Sequence, residues 1–393
     1  MAVLALSFIS MGLTGPVTPL YLQSLGASTV IIGLMFAVYG LGEGIFGFVW
    51  GTLADKIGIG VPLLIQTFIG AACLIAFGAI PAIAVLFVVR FILAGVGAAI
   101  FPIGRGFLAN AVPANRKGTA MALFAVLSSA GMSVGSTASG LLASNFGYGS
   151  TFFVAAVLMS IAGLIVFAEL RSESIAHVPA APGAAPTHAV AARSSASPLF
   201  VLGAITALGT AASATSLTFL PLLMTQYAGV PVTEVGFAYG LSGLLGIFLV
   251  LFSGGLSDRI GRKPILILGL SLMLPGFLGL AFVREYWLIV ICMLGGSLGF
   301  SVMFPPILTL MSNVTPPRFQ GRTQGIFVVS IDVGLIIGPV VAGWIWSAGG
   351  PAPAYLFGAS LVAIAYAVTL MLVQEQRWMS PRESVPSVAT ADA

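Results

Sequence analysis

The chain has 393 residues, of which 15 are Lys or Arg and 11 are Asp or Glu, so only 7% are charged. Soluble globular chains carry about 25% charged residues, and this composition excludes most soluble classes. It also argues against disorder and against a β-barrel, whose strands alternate polar and apolar residues. In lipid, each segment must satisfy its own backbone hydrogen bonds, so we expect an all-α, polytopic membrane protein.

Twelve apolar segments follow one another along the chain, separated by charges, Pro or Gly. Each has the length of about 20 residues that a membrane span requires. The predicted spans are 2–23, 30–53, 62–80, 84–108, 119–143, 150–168, 199–225, 233–254, 265–282, 286–309, 323–346 and 354–373. Pro16 and Pro19 interrupt the first, which lacks a basic leader and is interpreted as a helix of the bundle rather than a removed signal peptide.

Basic residues in the loops predict the orientation, because Lys and Arg are retained on the cytoplasmic side. With the N-terminus inside, the outer loops carry Arg284 alone. The inner loops and termini carry Lys56, Arg116, Lys117, Arg171, Arg193, Arg259, Arg262, Lys263, Arg318, Arg322, Arg377 and Arg382. We therefore expect a multi-pass protein of the plasma membrane, the bacterial cytoplasmic membrane, with both termini cytoplasmic. The net charge of +4 reflects this topology and predicts no nucleic-acid partner.

An Ala- and Pro-rich stretch divides the chain into two similar halves. We predict an N-terminal six-helix bundle at 1–170, a cytoplasmic linker at 171–198, a C-terminal six-helix bundle at 199–375 and a cytoplasmic tail at 376–393. An offset of 203 residues aligns the halves without a gap. Among the aligned pairs are Gly33 with Gly236, Gly40 with Gly243, Phe101 with Phe304, Phe124 with Phe327 and Gly140 with Gly343. Such parallel repeats are typical of secondary transporters that bind substrate between the halves.

Two loops at equivalent repeat positions carry a recognisable motif. They read GTLADKIGIG from Gly51 and GGLSDRIGRKP from Gly254. Both resemble the signature loop of the major facilitator superfamily, and the resemblance implies a cytoplasmic gate. The candidate gate residues are Gly51, Asp55, Lys56, Gly58, Gly254, Asp258, Arg259, Gly261 and Arg262, with Arg105 in reach of Asp55. The alternative is a solvated tight turn that carries topology charges.

Two glycine ladders resemble the antiporter motif of proton-coupled drug exporters in the same superfamily. They read GMSVGSTASG in helix 5 and GLIIGPVVAG in helix 11. Small residues let helices cross closely, so the ladders are also explained by packing alone. Their candidate residues are Gly131, Gly135, Gly140, Gly334, Gly338, Pro339 and Gly343.

Three charged residues are predicted deep inside spans, where each costs roughly 2.5–3.5 kcal/mol on insertion scales. Glu43 lies 12 residues before Asp55, and Arg90 in helix 4 falls at a comparable depth. We hypothesise that Glu43 carries a coupling proton, the alternative being a permanent Glu43–Arg90 ion pair. Asp332 in helix 11 is either a structural residue that pairs across the halves or a second proton site.

The resemblance implies a cavity lined by helices 1, 4, 7 and 10. Its aromatic or polar candidates are Tyr21, Tyr39, Gln66, Phe101, Phe219, Tyr239 and Phe304, and the alternative for most of them is a plain core residue. The sequence therefore predicts a monomeric, proton-coupled exporter of amphipathic or drug-like molecules that works by alternating access. The alternative is a proton-coupled or facilitative carrier of a sugar, metabolite or lipid. Expected partners are the small-molecule substrate, protons and the bilayer; no enzymatic activity, cofactor or metal is expected.

Overall fold

A computed structural model describes residues 1–110, 117–171, 196–315 and 320–374. Within these residues the secondary structure is entirely helical. The helices are α1 Ala2–Thr14, α2 Val17–Ser24, α3 Thr29–Ile57, α4 Gly60–Ala79, α5 Ile83–Gly97, α6 Ile100–Asn110, α7 Lys117–Phe146, α8 Tyr148–Arg171, α9 Ala196–Leu222, α10 Val232–Ile260, α11 Arg262–Phe282, α12 Tyr286–Asn313, α13 Gln320–Gly349 and α14 Pro351–Leu372. Most of the predicted linker (172–195) and the whole predicted tail lie outside the described residues.

Proline and glycine explain where the predicted spans are broken. The first span is two helices, α1 and α2, bent by 43° at Gly15 and Pro16, because proline cannot continue the hydrogen-bonding ladder of the preceding turn. The fourth is interrupted between α5 and α6. Pro221 lies in the last turn of α9, and the chain continues as a π-helical turn at Leu223–Tyr227.

Ten helical segments of the described chain are long and apolar enough to cross a membrane, and the bent α1–α2 pair makes an eleventh. The remaining helix, α7, has 30 residues and is less apolar because it is rich in Ser, Gly and Ala. It packs against α1 and α10, and Ser136 donates a hydrogen bond to the carbonyl of Gly12 in α1 (3.3 Å). Its small polar side chains therefore serve contacts between helices.

The helices pack as two sets, α1–α8 and α9–α14. In the first, α1 packs on α7 and α8; in the second, α9 packs on α13 and α14. The sets meet chiefly along two lines of contact, α3 with α13 and α7 with α10, and α9 makes smaller contacts with α2 and α3. We call these the α3–α13 seam and the α7–α10 seam. The end of the bundle that carries Lys56, Arg171, Arg259 and Lys263 is called the basic end, and the opposite end the far end.

Candidate functional site

The two seams are equivalent under the internal repeat. An offset of 203 residues places Gly33 of α3 on Gly236 of α10, and Gly343 of α13 on Gly140 of α7. A β-carbon on Gly343 would lie 2.6 Å from the Thr29 carbonyl oxygen, and one on Gly140 would lie 2.7 Å from the Val232 carbonyl oxygen. Glycine is required at these positions because the backbones of the two helix sets touch there.

The α3–α13 seam runs from the far end to the middle of the bundle. Thr29 donates a hydrogen bond to the Gly343 carbonyl (3.1 Å), and Gly33 lies against the carbonyl of Pro339. Further along, a β-carbon on Gly44 would lie 2.7 Å from the carboxylate of Asp332. Gly44 is therefore the last of these glycines at which α3 and α13 are in close contact.

The α7–α10 seam has the same construction. A β-carbon on Gly236 would lie 2.6 Å from the carbonyl oxygen of Ser136. The hydroxyl of Ser133 donates a hydrogen bond to the Gly240 carbonyl, and Gly243 also packs against Ser133. Both seams thus hold the sets together from the far end to mid-bundle.

The two glycine ladders, which lie in α7 and α13, contribute to these seams and to packing within each set. Gly140 and Gly343, the last glycines of each ladder, lie in the seams. Gly131 and Gly135 pack against α1, and Gly334 and Gly338 pack in the same way against α9. The ladders therefore fix the helices that carry the contacts between the two sets.

Toward the basic end the sets diverge. β-Carbons on Gly47 of α3 and Gly325 of α13 would meet no atom of the described residues within 4 Å. Between the seams, α6 packs on α3 and α7, while α12 packs on α10 and α13. α6 and its repeat equivalent α12 therefore each lie beside one helix of each seam. Among the described residues, the close glycine contacts between the sets therefore lie between the far end and mid-bundle, and we interpret the basic end as the open one.

The three mid-bundle charges meet in one cluster. Glu43 lies halfway along α3, 14 residues from either end of the helix. Arg90 of α5 lies over the ring of Tyr39, one turn before Glu43, and the Asp332 carboxylate of α13 lies against Gly44, the residue after it. Glu43 and Asp332 are only partly buried, whereas Arg90 is 7% exposed. The cluster therefore joins both helix sets at the place where the α3–α13 seam ends.

Aromatic rings hold the guanidinium of Arg90. Its central carbon lies 4.5 Å from the centroid of the Tyr39 ring and 5.5 Å from that of Phe36. Its Nε has no hydrogen-bond partner among the described residues. Within the same residues, no salt bridge of 4.0 Å or less joins Arg90 to Glu43. A cation–π contact is strongest when the cation is desolvated, as it is here.

The cluster is absent from the second seam. The repeat aligns Glu43 with Gly246, Asp332 with Ser129 and Arg90 with Met293. Duplication has therefore kept the glycine contacts of both seams, while only the α3–α13 seam carries charges.

The gate motifs end their helices in the same way. Gly58 follows α3 with a φ of 78°, and Gly261 follows α10 with a φ of 98°. L-residues with side chains rarely adopt such values, which explains glycine at both positions. Lys56 and Arg259 are exposed, as expected of solvated charges. The structure describes only the helical backbone of four gate residues, Gly51, Asp55, Gly254 and Asp258. The Arg105–Asp55 pair therefore stays a prediction.

Two aromatic pairs occupy equivalent positions in the two helix sets. Phe101 of α6 meets Phe124 edge to face with centroids 6.2 Å apart, and Phe304 of α12 meets Phe327 in the same way at 5.0 Å. Phe101 and Phe304 remain partly exposed. Arg105, which is exposed, lies 5.8 Å from both rings of the first pair.

The other cavity candidates are located differently. Tyr21 is 7% exposed and packs on Phe152, with centroids 5.2 Å apart. Gln66 and Phe219 are fully buried within their own sets. Tyr239 donates a hydrogen bond to the Leu217 carbonyl at 3.2 Å. Of the cavity candidates, Phe101, Phe304 and Tyr239 therefore remain partly exposed, and Tyr39 belongs to the charged cluster.

Sequence reasoning offered Asp332 as a residue between the halves, but it did not foresee that Asp332 lies beside Gly44 and Glu43 or that Arg90 lies over the ring of Tyr39. The signal was present in the repeat, because all three charges fall where the other half has an uncharged residue. In the described residues no group of three His, Cys, Asp or Glu side chains is arranged to hold a metal ion.

Comparison with known proteins agrees with this geometry. The sequence profile described as Major Facilitator Superfamily matches residues 1–216 and again 199–391. Multidrug resistance protein MdtG of Salmonella arizonae is 26% identical over 344 residues, which cover 83% of this chain and 82% of that protein. Multidrug resistance protein MdtH of Edwardsiella ictaluri is 32% identical over 111 residues, only 28% of either chain.

Among solved structures, a point mutant of the nucleoside transporter NupG superimposes with a TM-score of 0.79 at 16% identity, over 95% of this chain and 99% of that one. Similarity at this identity concerns the fold alone. Since the family profile matches each half in turn and the spans and fold agree with it, the chain belongs to the Major Facilitator Superfamily.

Proposed function

We propose that this transporter exports amphipathic or drug-like small molecules in exchange for protons. The observation that carries the proposal is the cluster of Glu43, Arg90 and Asp332 at the end of the α3–α13 seam. Ionisable residues inside a membrane are costly and are typical of ion and proton pathways. Glu43 is partly exposed at the point where the space toward the basic end begins, so a proton leaving its carboxyl would have a route to water.

The substrate class rests on the chemistry of the space between the sets. α6 and α12, which lie beside both seams, carry the partly exposed rings of Phe101 and Phe304, and Arg105 is the one charged residue described on either helix. Such walls suit a partly apolar solute, whereas a phosphorylated one would require several bases. The two relatives whose names contain "multidrug resistance" support the same class.

The orientation completes the proposal. Because Lys and Arg are retained in the cytoplasm, the basic end faces inward and the open space receives solute from the cell interior. Inward proton movement across 100 mV supplies about 2.3 kcal/mol per charge, enough for modest accumulation outside.

The test is a panel of solutes in inverted vesicles with an imposed pH gradient, read as substrate-dependent proton flux. We expect flux with amphipathic solutes and its loss in Glu43→Gln at unchanged expression. Glu234→Gln is the matched control, because Glu234 is an exposed carboxylate in the first turn of α10, far from the cluster. If no exporter-type solute drives proton flux but a sugar, nucleoside or lipid is transported, a metabolite carrier would replace the proposed exporter.

A further inference from the structure

Arg105 is a cation without a counter-charge among the described residues. It lies in Ile83–Leu108, a segment long and apolar enough to cross a membrane, yet its side chain is exposed. It forms no hydrogen bond and no ion pair with any described residue. Because a guanidinium carries five N–H donors in a planar fork, Arg105 has donors that a ligand can use.

Arg105 lies on the side of α6 that is turned away from the core of its own helix set. Ile103 is buried in a core cluster with Leu63 of α4 and Ala162 of α8. Phe101 and Arg105 are four residues apart and share a different face, and both are accessible. On either side of that face, α6 packs on α3 and α7. Since α3 and α7 both contact the other helix set, the face is turned toward that set.

Two aromatic rings flank the guanidinium of Arg105. Its central carbon lies 5.8 Å from the centroid of the Phe101 ring and 5.8 Å from that of Phe124. Contact with a ring uses the charge of the guanidinium and leaves N–H groups in its plane free. The position therefore combines unused donors for an anion with an adjoining apolar surface.

We propose that Arg105 binds the carboxylate of a monoanionic aromatic solute whose apolar body lies against Phe101. The proposal rests on the transport function proposed above and names one substrate class for it. The two oxygens of a carboxylate match the fork of one guanidinium through paired hydrogen bonds. A phosphate with two charges would require further bases, and no other base is described on α6 or α12.

The second half lacks this cation. The repeat aligns Arg105 with Leu308, which is partly buried and packs against the main core. The equivalent helix therefore folds without a base at this position. Because the two aromatic pairs are otherwise alike, we expect one carboxylate-binding position in the carrier, on the α6 side only.

The proposal is tested with three probes that share one ring system and differ in charge. They are 2-naphthoate, the neutral 2-acetylnaphthalene and the cation 2-naphthylmethylammonium. Equilibrium binding of each labelled probe is measured on purified protein in phosphatidylcholine nanodiscs without a pH gradient, and binding to empty nanodiscs is subtracted. We expect naphthoate to bind most tightly and the cation least tightly.

Variants of Arg105 separate its charge from its geometry. Arg105→Leu should weaken naphthoate binding about tenfold, as expected for the loss of a hydrogen bond between charged groups, and leave the neutral probe unchanged. Arg105→Lys keeps the charge without the fork and should lie between the two. Arg105→Gln supplies the same comparison if the Leu variant does not elute as a monodisperse species. Glu234→Gln, which removes an exposed charge far from α6, should match the unmodified chain.

Equal naphthoate affinity with and without the guanidinium would overturn the proposal. An equal loss for all three probes in Arg105→Leu would overturn it as well, because the residue would then support the structure of α6. The measurement is repeated with phosphatidylglycerol in the nanodiscs. Loss of naphthoate binding to the unmodified chain there would assign the guanidinium to lipid headgroups and would likewise overturn the proposal.

The outcome for this site is separate from the outcome for the proposed function. Naphthoate selectivity that depends on Arg105, in a protein that moves no proton with any solute, would overturn the proposed function alone. Proton flux driven by neutral or cationic solutes, without naphthoate binding that depends on Arg105, would overturn the carboxylate site alone.

Discussion

Arg90 of α5 lies over the ring of Tyr39 in α3, one helical turn from Glu43, with 4.5 Å between the guanidinium carbon and the ring centroid. Residues four apart on a helix share a face, so the ring and the carboxyl of α3 both approach the same cation. The ring lets Arg90 remain inside the bundle without a direct salt bridge, and its charge acts on Glu43 from a fixed position.

Removing the Tyr39 ring is expected to destabilise the protein and to disturb the cluster. A desolvated cation–π contact contributes about 2 kcal/mol, so Tyr39→Leu should lower the free energy of unfolding by roughly that amount. Tyr39→Phe keeps the ring and should retain most of the stability and the pH profile of transport. Thermal unfolding in detergent measures the first effect. Equal losses in the Leu and Phe variants would show that the ring is not what holds Arg90.

A side chain at Gly343 is expected to force the far end apart. Its β-carbon would lie 2.6 Å from the Thr29 carbonyl oxygen, and overpacking of this kind costs about 1–3 kcal/mol. Since 1.4 kcal/mol is a factor of ten in population, Gly343→Leu should reduce the closed state about tenfold. Spin labels at Ser24→Cys and Ser347→Cys, two exposed far-end positions on different helix sets, would report this as a shift to longer distances in electron paramagnetic resonance.

Gly325 provides the matched control for Gly343. It lies in the same helix, and a β-carbon there would meet no described atom within 4 Å. Gly325→Leu should therefore leave the distance distribution at Ser24 and Ser347 unchanged. If both variants open the far end, the effect comes from helix propensity and not from the seam.

The seams could be predicted from the sequence in part, because the repeat shows which glycines occur at equivalent positions in both halves. Gly33 with Gly236 and Gly140 with Gly343 were aligned by the 203-residue offset, and all four lie between helix sets. What the sequence could not supply is the register of α3 against α13. That register depends on packing between residues some 300 positions apart, and it brings Asp332 to Gly44 and Glu43.

The breaks within spans were predictable to different degrees. Pro16 predicted the break between α1 and α2, because proline interrupts the backbone hydrogen bonds of a helix. The interruption between Gly97 and Ile100 carries no proline and was missed. The burial of Tyr21 and Phe219 was also beyond the sequence, because an aromatic residue on a helix facing other helices has the same pattern as one lining a cavity.

We expect both aromatic pairs to contribute to substrate recognition, with a positive charge beside the pair in the first half only. Phe101 carries Arg105 one turn away, whereas the equivalent neighbour of Phe304 is Leu308. Because the second half folds with leucine there, Arg105→Leu should fold normally. Removing this exposed cation should lower the KM for cationic aromatic solutes and leave neutral ones unchanged.

Phe101→Ala and Phe304→Ala provide the comparison for Arg105→Leu. Each removes a partly exposed ring and should raise the KM for all aromatic solutes, whatever their charge. Initial rates of vesicle transport with a cationic and a neutral aromatic probe of similar size distinguish the cases. A charge-independent effect of Arg105→Leu would place that residue in the structure of α6 instead of in the substrate path.

The orientation is expected to survive the loss of Arg284, because that side chain serves a helix end. It donates hydrogen bonds to the carbonyls of Leu280, Ala281 and Val283 at the last turn of α11, and hydrogen bonds from charged groups contribute about 1.5–3 kcal/mol. Arg284→Gln should lower stability by about 1–2 kcal/mol. It should not change the sidedness set by the bases at the other end.

Sidedness is measured in intact cells with a membrane-impermeant maleimide on variants lacking Cys73 and Cys292. Ser347→Cys at the far end should react directly, and Arg171→Cys at the basic end only after permeabilisation. The same pattern is expected when Arg284→Gln is added, since one base outside is outweighed by those inside. The reverse pattern would place the basic end outside and contradict the orientation proposed for this chain.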